Sequence, residues 1–402
     1  MQRTVDPHRR RFLATSGALA ATAMAPAIVR GQGASLELGV LTPLTGAGGF
    51  DGPRMAKAMQ AVIDEVNGVG GLLGRKVLLV VEDGQTNPEA AVRAARKLID
   101  VTKVPAIMGT WASAVTTAVA PLCWESKTFL TTVSGADSIT KLPHQGYLIR
   151  TQPNNYLQAG KHAEFIASMG AKHVFMMSIQ APFAEPTQTR ATEVLKEKGS
   201  QMVGTLIYDK DKTTYRSEVD QALRTNPDLI YLNGYAPDVT ILLRDLYRAS
   251  YAGHRFAQSY AVTQKVIDSL PHEVTEGVIT VQPSADVGSP AYELAKKRLG
   301  VAEPDSYETQ ATDWASLVSL SIAKAKVATG TGIRDNVRKI CQGTGTKVYS
   351  AVDGLKLLAR GKDINYEGAS GPCDFTDIGD ITDCKFRYNK VQNGKLVLLK
   401  VA

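Results

Sequence analysis

The feature that most limits the possible folds is a repeated alternation of short apolar segments with longer amphipathic ones. Residues 36–41 and 77–81 are almost entirely apolar, which is typical of strands covered on both faces. Between them, Met55, Met59 and Val62 recur at helical spacing. Because alternating strands and helices form right-handed crossovers, this part of the chain is predicted to build a parallel sheet.

The same pattern restarts after residues 147–153, which indicates a second α/β unit. Helices are predicted at 156–169 and 237–250, and strands at 173–178 and 202–207. A chain of 402 residues is also longer than one hydrophobic core usually supports. We therefore expect an α/β fold class with two doubly wound parallel-sheet lobes.

Residues 104–120 form the most informative single unit. They read as an apolar strand, a tight loop at 109–112 and a helix that starts at Ser113. Parallel sheets bind ligands in such loops at the carboxyl ends of their strands. The unpaired N–H groups of a helix start can donate to an anionic or carbonyl oxygen. Ser113 and Trp111 are therefore candidate ligand contacts, unless Ser113 only caps the helix and Trp111 only packs.

The first residues resemble an export signal. Residues 8–13 contain a twin-arginine pattern, residues 13–24 are apolar, and the small residues around Ala25 and Ala27 suit cleavage. This apolar run is shorter than the roughly 20 residues that span a bilayer, and no later segment is long and apolar enough. We expect a Tat-type signal peptide and short linker at 1–34, cleaved near Ala25 or Ala27, and a soluble protein in the periplasm.

Charge and composition argue against several classes of function. The formal net charge is +7, but the first 27 residues contribute four arginines against one aspartate, so the mature chain is only mildly basic. No run rich in Lys and Arg with interleaved aromatic residues follows, which argues against a nucleic-acid partner. The hydrophobic fraction of 44% and the charged fraction of 21% are ordinary for a folded soluble chain.

The usual catalytic and cofactor motifs are missing from the sequence. The glycines at 42–52 are not followed by Lys-Ser/Thr, and Asp51 stands where a dinucleotide fingerprint requires a third glycine. The histidines form no HxxxH or HExxH arrangement, no serine lies in a G-x-S-x-G elbow, and the cysteine spacing does not suit a metal. We therefore expect neither an enzyme nor a cofactor or metal site.

A predicted hairpin places two of the four cysteines opposite each other. Residues 372–376 and 381–387 read as strands, and a two-residue loop at 378–379 would pair Cys373 directly with Cys384. Opposed residues of an antiparallel pair have Cβ atoms about 4.5 to 5.5 Å apart, close to disulfide geometry. Because an exported protein meets oxidising conditions, we expect a Cys373–Cys384 disulfide, with two free thiols as the alternative.

Six phrases of the sequence are informative together because of their order and spacing. They are LGVLTPLTG at 38–46, GGLLGR at 70–75, EDGQTNP at 82–88, AARKLI at 94–99, GYAPD at 234–238 and GASGPCDF at 368–375. Together they resemble the leucine/isoleucine/valine-type periplasmic solute-binding proteins of ABC importers. The resemblance covers about residues 36–398.

The resemblance implies a type I binding-protein fold, in which two α/β lobes close on a small ligand like jaws. Closure of this kind couples ligand binding to recognition by a partner. The implied lobe boundaries are 35–152 with 283–367 for lobe I, and 153–282 with 368–402 for lobe II. The three crossing segments would lie near residues 149–153, 280–284 and 364–370.

The resemblance also implies ligand contacts when its motifs are matched residue by residue. In the first lobe they fall on Ser113, Ser134, Ala136 and the aromatic residue of the first loop, Phe50, and in the second lobe on Phe183 and Tyr235. Two positions depart from the amino-acid-binding members of the family. The acidic partner of the ligand ammonium is replaced by Tyr260, and a threonine is replaced by Ala136.

These departures and the aromatic residues predict the class of ligand. Since burying an unpaired ammonium costs several kcal/mol, the loss of its acidic partner argues against an α-amino acid. Flat apolar walls can come from Trp111, Phe183, Tyr235, Tyr260 and Phe50, while Ser113 and its helix start can hold a carboxylate. We expect an aromatic or other hydrophobic organic acid, with a branched-chain amino acid or an amide or urea as alternatives.

The same resemblance implies the partners. They would be the small ligand and the ABC permease subunits in the inner membrane, with the protein itself a monomer. A periplasmic sensor that presents its ligand to a membrane receptor would use the same pocket, and the sequence does not separate the two.

The export signal generates a direct prediction. Changing Arg9 and Arg10 to lysine should trap the precursor in the cytoplasm, because the twin-arginine pair is what the export receptor reads. Immunoblots of periplasmic and cytoplasmic fractions measure the effect. Unchanged export of the variant would point to the general secretory route instead.

Overall fold

The computed structural model describes residues 34–382 and 384–402, so the predicted signal peptide lies outside the described residues. Lobe I begins with alternating strands and helices that form a parallel sheet of order β2-β1-β3-β4-β5. These elements are β1 (Leu36–Thr42), α1 (Gly52–Gly68), β2 (Val77–Asp83), α2 (Pro88–Arg96), β3 (Ala106–Gly109), α3 (Ser113–Glu125), β4 (Phe129–Thr132) and β5 (Leu148–Arg150).

Lobe II follows with a second α/β alternation, as the restart of the sequence pattern predicts. Its central strands are parallel and run in the order β10-β9-β8-β6-β7. The elements are α4 (Asn155–Ser168), β6 (His173–Ile179), α5 (Ala184–Glu197), β7 (Gln201–Tyr208), α6 (Arg216–Leu223), β8 (Leu229–Asn233), α7 (Ala236–Arg248), β9 (His254–Gln258), α8 (Gln264–Asp268), α9 (His272–Thr275) and β10 (Ile279–Pro283).

The chain then returns to lobe I before it ends in lobe II. The returning elements are α10 (Pro290–Leu299), α11 (Ser306–Ala325), α12 (Gly330–Cys341), β11 (Thr346–Val348), α13 (Ala351–Ala359) and β12 (Ile364–Tyr366), and the last strands are β13 (Phe386–Gln392) and β14 (Lys395–Val401). Strand β13 pairs antiparallel with β10 and β14. The two residues between β13 and β14 allow this pairing, whereas a parallel neighbour needs a long crossover.

Helical periodicity explains how the first lobe is packed. Met55, Met59 and Val62 of α1 are fully buried, as their spacing predicts. Helix α11 packs against α1, and its Trp314 lies in the same core. Trp314 Nε1 donates to Thr151 Oγ1 at 2.9 Å, so this helix is tied to the segment that leaves β5. The α/β fold class is confirmed.

The predicted Cys373–Cys384 disulfide is wrong. Cys373 and Cys384 form no disulfide with each other, and the expected hairpin is reduced to one antiparallel bridge between Phe375 and Ile381. The turn of this bridge contains three residues, 377–379, instead of two. The observed pairing is therefore shifted by one residue from the expected register. Because such a shift turns side chains to the opposite face of a strand, Cys373 is buried while Cys384 is partly exposed.

A buried ion pair joins β5 to the last part of the chain. The Arg150 side chain is 0% exposed, and its Nε and Nη2 donate to Asp380 Oδ1 at 2.8 and 2.5 Å. Its Nη1 donates to the carbonyl oxygens of Ser134 and Ala136 at 3.1 and 2.6 Å. Burial lowers the pKa of the Arg150 guanidinium, and the Asp380 carboxylate opposes that shift. The loop after β4 is therefore held by a single buried cation.

Across 34–382 and 384–402, every helix is too short or too polar to cross a bilayer.

The ion pair generates a stability prediction. Arg150→Met leaves the buried Asp380 carboxylate without its cation, so the free energy of unfolding should fall by about 3–5 kcal/mol. Urea denaturation of the purified protein measures this loss. As a control, Asp363→Asn removes an exposed partner of Lys324 and should leave the midpoint nearly unchanged. Equal midpoints for the two variants would contradict the anchoring role of Arg150.

Candidate functional site

The candidate site lies where the strands of both lobes end at their carboxyl edges. Strand β3 leads into Trp111 and Ser113, and in lobe II β6 leads into Phe183 and β8 into Tyr235. These four side chains, together with Tyr260 after β9, line one cavity. Because parallel strands present their carboxyl ends at one edge of each sheet, two facing sheets create this cleft between them.

The start of α3 supplies the floor of the cleft. Ala112 occupies the N-cap position and makes no side-chain cap, so Ser113 is the first helical residue and does not act as the cap. Ser113 Oγ instead accepts from the backbone N–H of Ala136 at 3.2 Å. No side chain in the N-cap position therefore accepts from the first backbone N–H groups of α3.

Hydroxyl groups behind the floor hold it in place. Thr110 Oγ1 lies 2.6 Å from Thr116 Oγ1 and donates to Thr132 Oγ1 at 3.0 Å. Ser134 Oγ donates to the carbonyl oxygen of Trp111 at 3.0 Å. Ser134 and Ala136 thus support the floor from behind, and neither is among the residues that line the cavity.

Aromatic rings from both lobes meet across the cleft. The ring of Trp111, from lobe I, lies 5.4 Å from those of both Tyr235 and Tyr260, from lobe II. It also lies 6.2 Å from the ring of Tyr307, and Phe183 packs edge-on against Tyr235 at 5.9 Å. The space left between them is only about 40 Å³, room for a few water molecules. A ligand of several atoms must therefore enter while the lobes are apart.

Neutral polar side chains form the wall contributed by lobe II. His162 Nδ1 lies 2.8 Å from the Tyr231 hydroxyl, which also accepts from Gln258 Nε2 at 3.4 Å. Complete burial lowers the pKa of His162 to about 3, so its ring is neutral at ordinary pH. Asn155 and Gln158 of α4 complete this wall.

Two buried polar atoms of this cavity have no hydrogen-bond partner within the described residues. They are Trp111 Nε1, which is a donor, and His162 Nε2. Buried polar groups are normally satisfied, so orphaned atoms at a cavity indicate where a ligand or water makes its bonds. None of the described residues that line the cavity is an aspartate, glutamate, lysine or arginine.

One acidic group lies just behind the lobe II wall. Asp238 accepts from the Tyr208 hydroxyl at 2.5 Å and from the backbone N–H of Tyr235 at 3.2 Å. Burial raises the pKa of Asp238 to about 6, and the Tyr208 hydrogen bond opposes that shift. Its contacts orient the Tyr235 backbone at the start of α7.

Five of the eight sequence-predicted residues line the cavity, namely Trp111, Ser113, Phe183, Tyr235 and Tyr260. Ser134 and Ala136 lie behind the floor, and Phe50 lies elsewhere. Phe50 is 38% exposed and lines a neighbouring cavity. Cavity-lining residues that the sequence did not indicate include Tyr307, Asn155, Gln158 and His162. Each of them lies on a helix, where hydrophobic periodicity cannot distinguish a side chain that faces the cavity from one that faces the core.

The described residues contain no group of three or more His, Cys, Asp or Glu side chains arranged to hold a metal ion.

Comparison with known proteins agrees with this geometry. The family model described as periplasmic binding protein matches residues 35–376. The chain is 26% identical to the chemotactic signal transduction system substrate-binding protein BasB of Halobacterium salinarum, covering 86% of this chain and 84% of that one. It superposes with a TM-score of 0.76 on the branched-chain amino acid transporter substrate-binding protein LivJ of Streptococcus pneumoniae in complex with isoleucine, at 17% identity over 91% of this chain and 99% of that one.

A third similar protein carries an aromatic ligand. An ABC transporter solute-binding protein of Rhodopseudomonas palustris, solved in complex with benzoate, superposes with a TM-score of 0.74 at 17% identity, covering 91% of this chain and 96% of that one. At this level of identity the structural likeness establishes the fold. The match of the family model over most of the chain confirms the resemblance read from the sequence: this protein belongs to the type I periplasmic binding proteins of the leucine/isoleucine/valine-binding family.

Proposed function

We propose that this protein is the extracytoplasmic solute-binding component of an ABC importer and that it binds a small aromatic or hydrophobic carboxylate between its lobes. The observation that carries the ligand class is the lining of the cleft, which is aromatic and carries no formal charge. An ammonium group in this cavity would have no carboxylate to pair with, which is costly. A flat apolar ring instead matches the walls formed by Trp111, Tyr235 and Tyr260.

The carboxylate end of the ligand is assigned to the start of α3. The Ser113 hydroxyl and the uncapped N–H groups that follow it offer donors, and the helix dipole favours negative charge there. The Trp111 Nε1 atom, which has no hydrogen-bond partner among the described residues, supplies a further donor. Charge compensation by a helix start explains how an anion can bind without an arginine or lysine in the lining.

Closure of the lobes is proposed to signal to the membrane partner that a ligand is bound. Tyr235 and Tyr260 pack against the hydrophobic cores of both lobes, so they form the contact that separates on opening. A ligand that bridges Ser113 and Tyr235 would bind the closed form more tightly than the open form and would therefore stabilise the closed form. The permease subunits of the inner membrane, the periplasmic location and a monomeric state belong to the same proposal.

Two other functions have specific support. The isoleucine complex of LivJ favours a branched-chain amino acid as the alternative ligand, with an amide or urea as a further one. The similarity to BasB favours a sensor that presents its ligand to a chemotaxis receptor. In each case the protein binds a solute by the same cleft and has no catalytic role.

The ligand class is tested by a thermal-shift panel. Amino acids, aromatic carboxylates, aliphatic acids and amides are compared on the mature protein, and we expect the largest shift from an aromatic carboxylate. A ligand at 100 times its dissociation constant adds about 2.7 kcal/mol of stability, which is readily detected. A largest shift from leucine or valine, or from an amide or urea, would contradict the carboxylate assignment.

The role of the α3 start is tested by Ser113→Ala with the best ligand of that panel. Loss of one hydrogen bond to a charged group should weaken binding about tenfold to 150-fold by isothermal titration calorimetry. Ser138→Ala, an exposed serine that makes no side-chain cap, is the matched control and should bind normally. Normal binding by Ser113→Ala would mean that the start of α3 is only structural.

Lobe closure is tested separately with Tyr235→Ala. Small-angle scattering with saturating ligand should show a contraction of the wild-type protein that this variant lacks, because the variant has lost the ring that bridges the lobes. Equal contraction of both proteins would rule out Tyr235 as a closure contact.

A further inference from the structure

A second cavity lies beside the aromatic cleft and is also formed by both lobes. It measures about 270 Å³, and Tyr260 and Tyr307 line it from one side as they line the first cavity from the other. Lobe I adds Phe50, Asp51, Arg54 and Asp305, and lobe II adds Gln282. The two cavities are therefore neighbours that share aromatic walls, but their electrostatic character differs.

The side chain of Asp51 is the unusual feature of this second cavity. Asp51 is only 4% exposed, yet its carboxylate accepts no hydrogen bond and lies in no ion pair within the described residues. Carboxylates as buried as this one are normally paired or hydrogen-bonded. Because Asp51 lines the cavity, the missing partner has room to bind there.

Among the described residues, no neighbouring charged group forms a direct ion pair with Asp51, although Arg54 lies close enough to attract it. Arg54 is engaged by Glu308, to which its Nε and Nη2 donate at 3.3 and 2.8 Å. Asp305 caps α11 by accepting from the backbone N–H of Tyr307 at 2.8 Å. Three carboxylates thus surround one guanidinium. Burial and the nearby Asp305 raise the pKa of Asp51 well above its ordinary value, and the charge of Arg54 opposes that shift.

The walls of the cavity suit a positively charged organic group. The rings of Tyr260 and Tyr307 present aromatic surface, which attracts cations through the ring quadrupole. Arg54 makes a cation–π contact of this kind nearby, because its guanidinium lies 5.1 Å from the centre of the Phe50 ring. The hydroxyl of Ser259 and the amide of Gln282 add neutral polar groups from lobe II.

We propose that this second cavity is a binding site for a protonated amine, which forms an ion pair with Asp51 and contacts the rings of Tyr260 and Tyr307. The site is distinct from the carboxylate position at Ser113 and does not depend on which ligand fills the first cavity. Because both lobes line it, a bound amine also favours the closed arrangement.

The proposal is tested with benzylammonium and benzyl alcohol, two probes of similar shape that differ in charge and carry no carboxylate. Isothermal titration calorimetry on the mature protein should show at least about tenfold tighter binding of benzylammonium, as expected for a hydrogen bond to a charged group. Asp51→Asn keeps the size of the side chain and should abolish this preference. Asp100→Asn, which removes an exposed carboxylate elsewhere on lobe I, should retain it.

Two results would overturn the proposal. One is equal affinity of the wild-type protein for the two probes, a comparison that requires no variant to fold. The other is an undiminished preference in Asp51→Asn. Because neither probe has a carboxylate, these results are independent of the outcome at Ser113, and each proposal can fail without the other.

A competition experiment then identifies the source of the amine. Benzylammonium that binds together with a carboxylate ligand of the first cavity indicates a separate organic cation. Mutual exclusion, with 4-(aminomethyl)benzoate weakened by both Ser113→Ala and Asp51→Asn, indicates one ligand that spans the two cavities. Both results support an amine site at Asp51.

Discussion

The binding cleft depends on the buried charge of Arg150. Its guanidinium holds Asp380 on one side and the carbonyl groups of Ser134 and Ala136 on the other. Ala136 in turn donates its N–H to Ser113, so one cation sets the position of the helix start that faces the ligand. A buried ion pair of this kind contributes little more to the free energy of unfolding than apolar residues of similar volume would. Removing only one of its partners, however, lowers that free energy strongly. Its value here is that it specifies a single loop conformation.

Charge is distributed unevenly around the interlobe space. The first cavity is lined by aromatic and neutral polar groups, and even His162 is kept uncharged by burial. The second cavity contains Asp51, a carboxylate without a partner among the described residues. In a low-dielectric cleft such a difference selects strongly between ligand groups of opposite charge. Tyr260 and Tyr307 form the boundary between the two environments.

Trp111 connects the two lobes across the cleft. It belongs to the loop after β3 in lobe I, while its ring packs against Tyr235 and Tyr260 of lobe II. These contacts leave little free volume between the rings. A ligand must replace part of this aromatic contact with contacts of its own. The free energy of closure therefore depends on the difference between the aromatic contacts across the cleft and the contacts that a ligand makes in their place.

The sequence by itself determined the α/β fold class and the cleft position of Trp111 and Ser113, because hydrophobic periodicity and strand-end loops are local properties. Tyr235 was placed there by the resemblance to a known family. The tertiary structure decided what depends on residues far apart in the chain. A turn one residue longer than expected removed the predicted bond between Cys373 and Cys384, since register sets which faces the side chains occupy. The neutral lining and the unpaired carboxylate beside it arise from side chains whose partners become known only when both lobes are assembled.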